Sequence, residues 1–94
     1  MERSLVTTAS IIKLGQRIRL SFDKTRQQWV LLGPEKVISL DDIAYQIISR
    51  CDGSCSVATL IEQLATEYNA ATEDIEQDVL SLLQSLVDKR FMQL

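Results

Sequence analysis

The sequence predicts an α+β domain in which a three-stranded antiparallel β-meander is followed by three α-helices. Between Arg17 and Leu40 apolar residues come in short alternating or β-branched runs separated by turn-forming residues. From Leu40 onward they recur at every third and fourth position. The period changes once, so strands and helices occupy separate stretches of one chain. Its 94 residues suit a single hydrophobic core. Leu, Ile, Val and Phe make up 30 of them, well above the roughly 20% below which chains tend to stay unfolded.

Residues 1–14 show no sustained period and are rich in Ser and Thr. They are expected to form a flexible N-terminal arm, partly ordered by Ile11, Ile12 and Leu14, with the folded domain spanning 15–94. Gly15 marks the boundary. The alternation from Arg17 to Phe22 puts Ile18, Leu20 and Phe22 on one face of a half-buried strand. Asp23 to Gln27 supplies a turn, and Gln28 to Leu32, with Trp29 and Val30, a second strand of an antiparallel hairpin. Gly33-Pro34 breaks it, and Lys36 to Leu40 is a third, short strand.

Leu40, Ile43, Ala44, Ile47, Ile48 and Cys51 then line one face of a helix that Ser39 or Asp41 can cap and Asp52-Gly53 can end. A second helix follows Ser56, its face made by Val57, Leu60, Ile61, Leu64, Ala65 and Tyr68, with Asn69-Ala70-Ala71 as its exit. Thr72 can cap a third helix whose first turn holds Glu73, Asp74 and Glu76, where carboxylates favour the positive end of the helix dipole. Ile75, Val79, Leu82, Leu83 and Leu86 form its main stripe. Turned at about 100° per residue, that stripe is extended on one flank by Val87, Leu80 and Phe91. Such a lopsided arc either packs on another element or lines a groove for a peptide. Lys36 to Leu40, if it lies at the sheet edge, offers unpaired backbone groups to an incoming strand.

Composition narrows the chemistry. The chain has no histidine, which removes the usual general base and the commonest zinc ligand. Cys51 and Cys55 lack the Cys-x-x-Cys spacing and the further thiols that structural zinc or an iron-sulfur cluster needs, so both are expected to be structural, with no metal and no cofactor. No apolar run approaches the roughly 20 residues of a membrane span, and no signal-like apolar core follows Met1-Glu2-Arg3; a cytoplasmic protein with no membrane partner is expected. Residues 1–40 carry a net charge of +4 and residues 41–94 a net of −7. The second and third helices hold Glu62, Glu67, Glu73, Asp74, Glu76, Asp78 and Asp88 against Lys89 and Arg90. Helices so acidic are repelled by phosphates, which argues against a nucleic-acid partner.

Five pieces of the sequence, in order, carry a family resemblance: Arg17-Ile18-Arg19-Leu20-Ser21-Phe22-Asp23; Trp29-Val30-Leu31-Leu32-Gly33-Pro34-Glu35; Leu40-Asp41-Asp42-Ile43-Ala44; Cys51-Asp52-Gly53; and Asp78-Val79 with Leu82, Leu83 and Leu86. Over roughly residues 13 to 94 the chain resembles the coenzyme PQQ synthesis protein D family. The family commonly has Asn where Asp41 stands and Gly where Arg90 stands, and Arg90 leaves open whether the third helix runs on. The resemblance implies a winged-helix-like, non-catalytic peptide chaperone. Its partner would be the leader of the ribosomally made precursor peptide of pyrroloquinoline quinone. It would present that peptide to the radical-SAM enzyme that joins its Glu and Tyr side chains by a carbon-carbon bond. The alternative is a leader-recognition domain of another ribosomal-peptide pathway. Related domains take the leader as a strand added to their third strand, beside the third helix. Here that mode implies Lys36, Val37, Ile38, Ser39 and Leu40 for strand pairing, and Leu80, Leu83 and Val87 as the apolar surface beneath.

Overall fold

A computed structural model of the protein describes residues 5–94. The expected meander is present as β2 (Arg19–Asp23), β3 (Gln28–Gly33) and β4 (Lys36–Leu40), in the antiparallel order β2-β3-β4. Leu20, Phe22, Trp29, Leu31, Ile38 and Leu40 share its inner face through the pairs Leu20/Leu31, Phe22/Trp29, Leu31/Ile38 and Trp29/Leu40. Phe22 stays 44% exposed because it meets the Trp29 ring edge-on at 5.3 Å rather than entering the core, and the other side of Trp29 stacks on Tyr45 at 4.4 Å.

The helices are α1 (Asp42–Ser49), α2 (Val57–Tyr68) and α3 (Thr72–Asp88). Of the two candidate caps for α1, Asp41 does the work: its Oδ1 accepts from the Ala44 amide at 2.7 Å. Leu40 therefore ends β4 instead of opening the helix, and Cys51 lies just past the C-cap Arg50, though still buried. Ser56 caps α2 through the Thr59 amide, and Asn69, at φ 51°, ends it in the left-handed conformation. Thr72 is not a cap: Ala71 holds that position without a side-chain bond, leaving the acidic first turn to stabilise the start of α3.

A second sheet was not legible in the sequence. It has the order β5-β1-β6, from β1 (Ile11–Leu14), β5 (Asp52–Ser56) and β6 (Met92–Gln93). The expected arm and the expected loop after α1 thus pair with each other. Ile12 is 2% exposed, so the ordered part of the chain begins before the anticipated boundary at Gly15. Residues 1–4 of that arm lie outside the described residues. Gly53, at φ 83°, does not end α1; it sits in β5 across from Lys13, where the β1–β5 register is irregular. The two sheets and three helices enclose one core, with Ile12, Leu31, Ile47, Leu60, Val79 and Leu83 at its centre. No helix among the described residues is long and apolar enough to cross a membrane.

Candidate peptide-binding site

Among the described residues β4 has one neighbour, β3, and its other side is an open edge. Which of its backbone groups face that edge follows from the turn. Pro34-Glu35 connects the strands in two residues, with Glu35 at φ 59° as the second position of a type II turn requires. A two-residue loop is closed by a pair that exchanges both backbone bonds, and such pairs alternate with unbonded ones along an antiparallel ladder. The register then makes Gly33/Lys36, Leu31/Ile38 and Trp29/Leu40 the bonded pairs, and Leu32/Val37 and Val30/Ser39 the unbonded ones. The N–H and C=O groups of Val37 and Ser39 consequently point outward.

The side chains alternate on the other axis. Ile38 and Leu40 turn towards the core, whereas Val37 is 60% exposed on the outer face and Ser39 accepts a bond there from Gln28 Nε2 at 2.9 Å.

Alongside the edge runs an open groove of about 730 Å³, bounded by Glu35, Lys36, Val37 and Ile38 on one side and by Asp88, Lys89, Arg90 and Phe91 on the other. The end of α3 forms this wall because the helix stops where it does. The Phe91 amide donates to the Leu86 carbonyl at 2.9 Å and the Arg90 amide to the Val87 carbonyl at 3.0 Å, the paired bonds of a Schellman motif. Arg90 occupies its left-handed position at φ 67°, so the helix does not run on. The chain is thereby turned to bury Phe91, 4% exposed, beneath Lys36, whose Nζ lies 5.6 Å from the ring centroid. Lys36 Nζ also donates to the Lys89 carbonyl at 3.3 Å, satisfying an acceptor that the helix end leaves open. Gly33 lets the Ile18 side chain pack close to this corner, since a Cβ there would lie 2.5 Å from Ile18 Cδ1 and push that chain end aside.

Further along the same flank of α3, towards its N-terminus, is a smaller apolar pocket of about 240 Å³ lined by Ile43, Ile47, Leu64, Tyr68, Ile75 and Asp78, among others. Ile43 and Tyr68, at its rim, are 48% and 46% exposed. Leu82, half-buried, falls on the row between the two hollows, one turn from Asp78 and two from Lys89.

The helix residues expected for the site are placed differently. Leu83 has no exposed surface and supports the groove only from beneath. Val87 lines a separate hollow with Gly15, Gln16, Met92 and Gln93; two residues from Lys89, it faces about 200° away from it. Leu80 precedes by one turn Gln84, whose Oε1 accepts from the Val6 amide at 2.8 Å, so it sits on the flank where the N-terminal segment lies. The contribution of Lys89, Arg90 and Phe91 was hidden because it depends on where α3 ends. A left-handed Arg is not announced by sequence as a left-handed Gly is.

Comparison with known proteins decides the family. The family model described as coenzyme PQQ synthesis protein D (PqqD) matches residues 28–92. The chain belongs to the PqqD family. It is 48% identical over 87 residues to a PqqA binding protein of Rhodopseudomonas palustris (strain BisB5), covering 93% of this chain and 85% of the relative. It is 44% identical over 91 residues to a PqqA binding protein of Xanthomonas oryzae pv. oryzae (strain KACC10331 / KXO85), covering 97% and 99%. Among solved structures, the PqqD truncation of Methylobacterium extorquens PqqCD superimposes with a TM-score of 0.85 at 33% identity, over 100% of both chains. That protein is described as a functional, stand-alone recognition element for ribosomally synthesised and post-translationally modified peptides. The crystal structure of PqqD from Xanthomonas campestris matches with a TM-score of 0.61 at 42% identity, over 95% and 99%. These PqqD relatives are named for binding and recognition, and this chain shares their α+β fold.

The cysteines lie away from the groove. Cys51 is buried with its Sγ donating to the Ile47 carbonyl at 3.3 Å; burial, and then the neighbouring Cys55, push its thiol from 9.0 up to about 12. A thiol held protonated in this way is the opposite of an activated nucleophile. Among the described residues no group of three or more His, Cys, Asp or Glu is gathered to hold a metal ion.

Proposed function

We propose that this protein is a peptide chaperone of pyrroloquinoline quinone biosynthesis: it binds the leader of the PqqA precursor peptide and presents that peptide to the radical-SAM enzyme that crosslinks its Glu and Tyr. The observation that carries the reading is the open edge of β4, where Val37 and Ser39 turn their backbone groups outward beside a groove walled by α3. The leader adds as a strand against this edge. Backbone bonds to Val37 and Ser39 set its register, and its inward side chains rest on Ile38, Leu82 and the end of α3. Lys36 and Leu40 frame the segment without donating outward, since their amides pair with Gly33 and Trp29.

The names of the relatives support the precursor as ligand, and the Methylobacterium protein, a functional and stand-alone recognition element, supports a self-contained binding module. The acidic exposed faces of α2 and α3, outside the groove, disfavour a phosphate backbone along those helices. Titration calorimetry with synthetic PqqA and with a random DNA duplex tests the reading. Stoichiometric heat from the peptide and none from the duplex is the expected result. Salt-sensitive DNA binding with no peptide heat would overturn it.

A further inference from the structure

The groove is not electrically uniform, and its asymmetry bears on what the leader must contain. Three cations surround the end where β4 begins and α3 ends: Lys36, Lys89 and Arg90. All three are exposed. Among the described residues Lys36 makes one hydrogen bond, to the Lys89 carbonyl, and an ammonium has three donors. Two acids share this end. Asp88 Oδ1 accepts from Gln84 Nε2 at 3.0 Å on its own helix, and Glu35 occupies the turn. Beyond the other end of β4, α1 begins with Asp41 and Asp42, and Asp78 lines the apolar pocket. The groove's Lys36 end thus carries three cations against two acids, whereas Asp41, Asp42 and Asp78 lie outside it, past Leu40 and in the neighbouring pocket.

Arg90 adds a second observation. It holds a left-handed backbone position at φ 67°, which costs a residue with a Cβ and costs glycine nothing. The residue carried at that cost is an arginine that lines both this groove and the neighbouring hollow with Val87 and Met92.

Strand parity fixes which leader residue meets these cations. Residues directly opposite across two strands share a face. A leader residue opposite Ile38 turns inward onto the apolar floor, and one opposite Lys36, two positions away, turns inward at the cationic end. Building on the proposed strand addition, we infer that the groove selects a leader in which a carboxylate side chain lies two residues from an apolar one, with Lys36, Lys89 and Arg90 as the residues that read the carboxylate. The apolar residue docks over Ile38, and the acid follows at the Lys36 end. The charge pattern also sets the register of the added strand, because a shift by two moves the carboxylate off the three cations and over apolar Ile38.

The test uses the full-length protein with synthetic PqqA and with variants of that peptide in which each Asp or Glu is replaced singly by its amide. Lys89→Gln and Arg90→Gln are each expected to weaken binding about three- to fivefold, the range of an exposed ion pair. Lys24→Gln serves as the control for net charge, since Lys24 lies in the β2–β3 turn at the opposite end of the sheet, and it should leave affinity within about twofold. One amide variant of the peptide should bind the wild type about as weakly as the wild-type peptide binds Lys89→Gln, and combining the two should cause little further loss. Its replaced acid should stand two residues from an apolar side chain. Tight binding of wild-type peptide that is indifferent to all of these changes would overturn the carboxylate inference while leaving the chaperone reading intact. Absence of binding by wild-type peptide would overturn both.

Discussion

The Lys36 ammonium donates to the Lys89 carbonyl oxygen at 3.3 Å, joining the first residue of the edge strand to the residue that ends α3. The contact bridges the two walls of the groove at one end. It also makes the groove dependent on two local events, the Pro34-Glu35 turn and the Schellman end of α3.

The outward amides of β4 can be deleted without touching the apolar surface. Val37→Pro removes a donor that β3 does not use, so the domain should keep its circular dichroism spectrum while binding of PqqA falls by more than tenfold. Ile38→Pro removes a donor that is bonded to Leu31 and should unfold or strongly destabilise the protein. The same response from both substitutions would contradict the assigned parity.

Arg90→Gly should separate stability from binding. Relief of a left-handed Arg is worth about 1–2 kcal/mol, partly offset by the greater freedom of Gly in the unfolded chain. A net gain of about 0.5–1 kcal/mol corresponds to a melting temperature higher by about 3–6 °C for a domain of this size. Peptide affinity should drop in the same variant, as it does for Arg90→Gln. Calorimetric melting and titration on one sample check both.

The helix flank used by the leader can be assigned by three truncations. Leu82→Ala should weaken binding by up to tenfold through lost apolar contact with the fold retained. Val87→Ala, on the other flank, should leave affinity within about twofold. Leu83→Ala should cost about 2–5 kcal/mol of stability, because the side chain is fully enclosed, and any loss of binding should track unfolding. Titration of each variant alongside a denaturant curve distinguishes these outcomes.

Most of the fold was legible because its elements carry their own periods. The alternation in β2 and the three-and-four spacing in α1 and α2 needed no tertiary information. The β5-β1-β6 sheet was hidden because Asp52-Gly53-Ser54-Cys55-Ser56 contains poor strand formers and is extended only by pairing with Ile11–Leu14, about forty residues away. The edge strand of the candidate site was readable, but not its parity, which depends on the register set by the turn. The helix flank was not readable for a related reason: Val87, Leu80 and Phe91 form a broad apolar shoulder, and only the packed structure shows that Phe91 turns into the core while Val87 faces β6.

Alkaline pH should destabilise the protein through Cys51. Its thiol is pushed up to about 12 by burial, whereas in the unfolded chain it titrates near 9.0. The folded state therefore holds a proton that the unfolded state releases, so this contribution is complete below pH 9 and is lost as pH rises from 9 towards 12. Cys51→Ala should lower stability at neutral pH by about 1 kcal/mol but flatten the decline across that window. At pH 8 iodoacetamide should label Cys55, which is partly exposed, well ahead of Cys51. Melting curves against pH and mass spectrometry of the labelled protein check these outcomes.

Backbone addition at β4 is tested most directly by amide hydrogen exchange measured with and without saturating PqqA. The Val37 and Ser39 amides should exchange freely in the unliganded protein and slow at least tenfold on binding, while Ile38, already bonded to Leu31, changes little. Unchanged exchange at Val37 and Ser39 with peptide bound, or new protection centred on α2 at residues 57–68, would contradict strand addition at this edge.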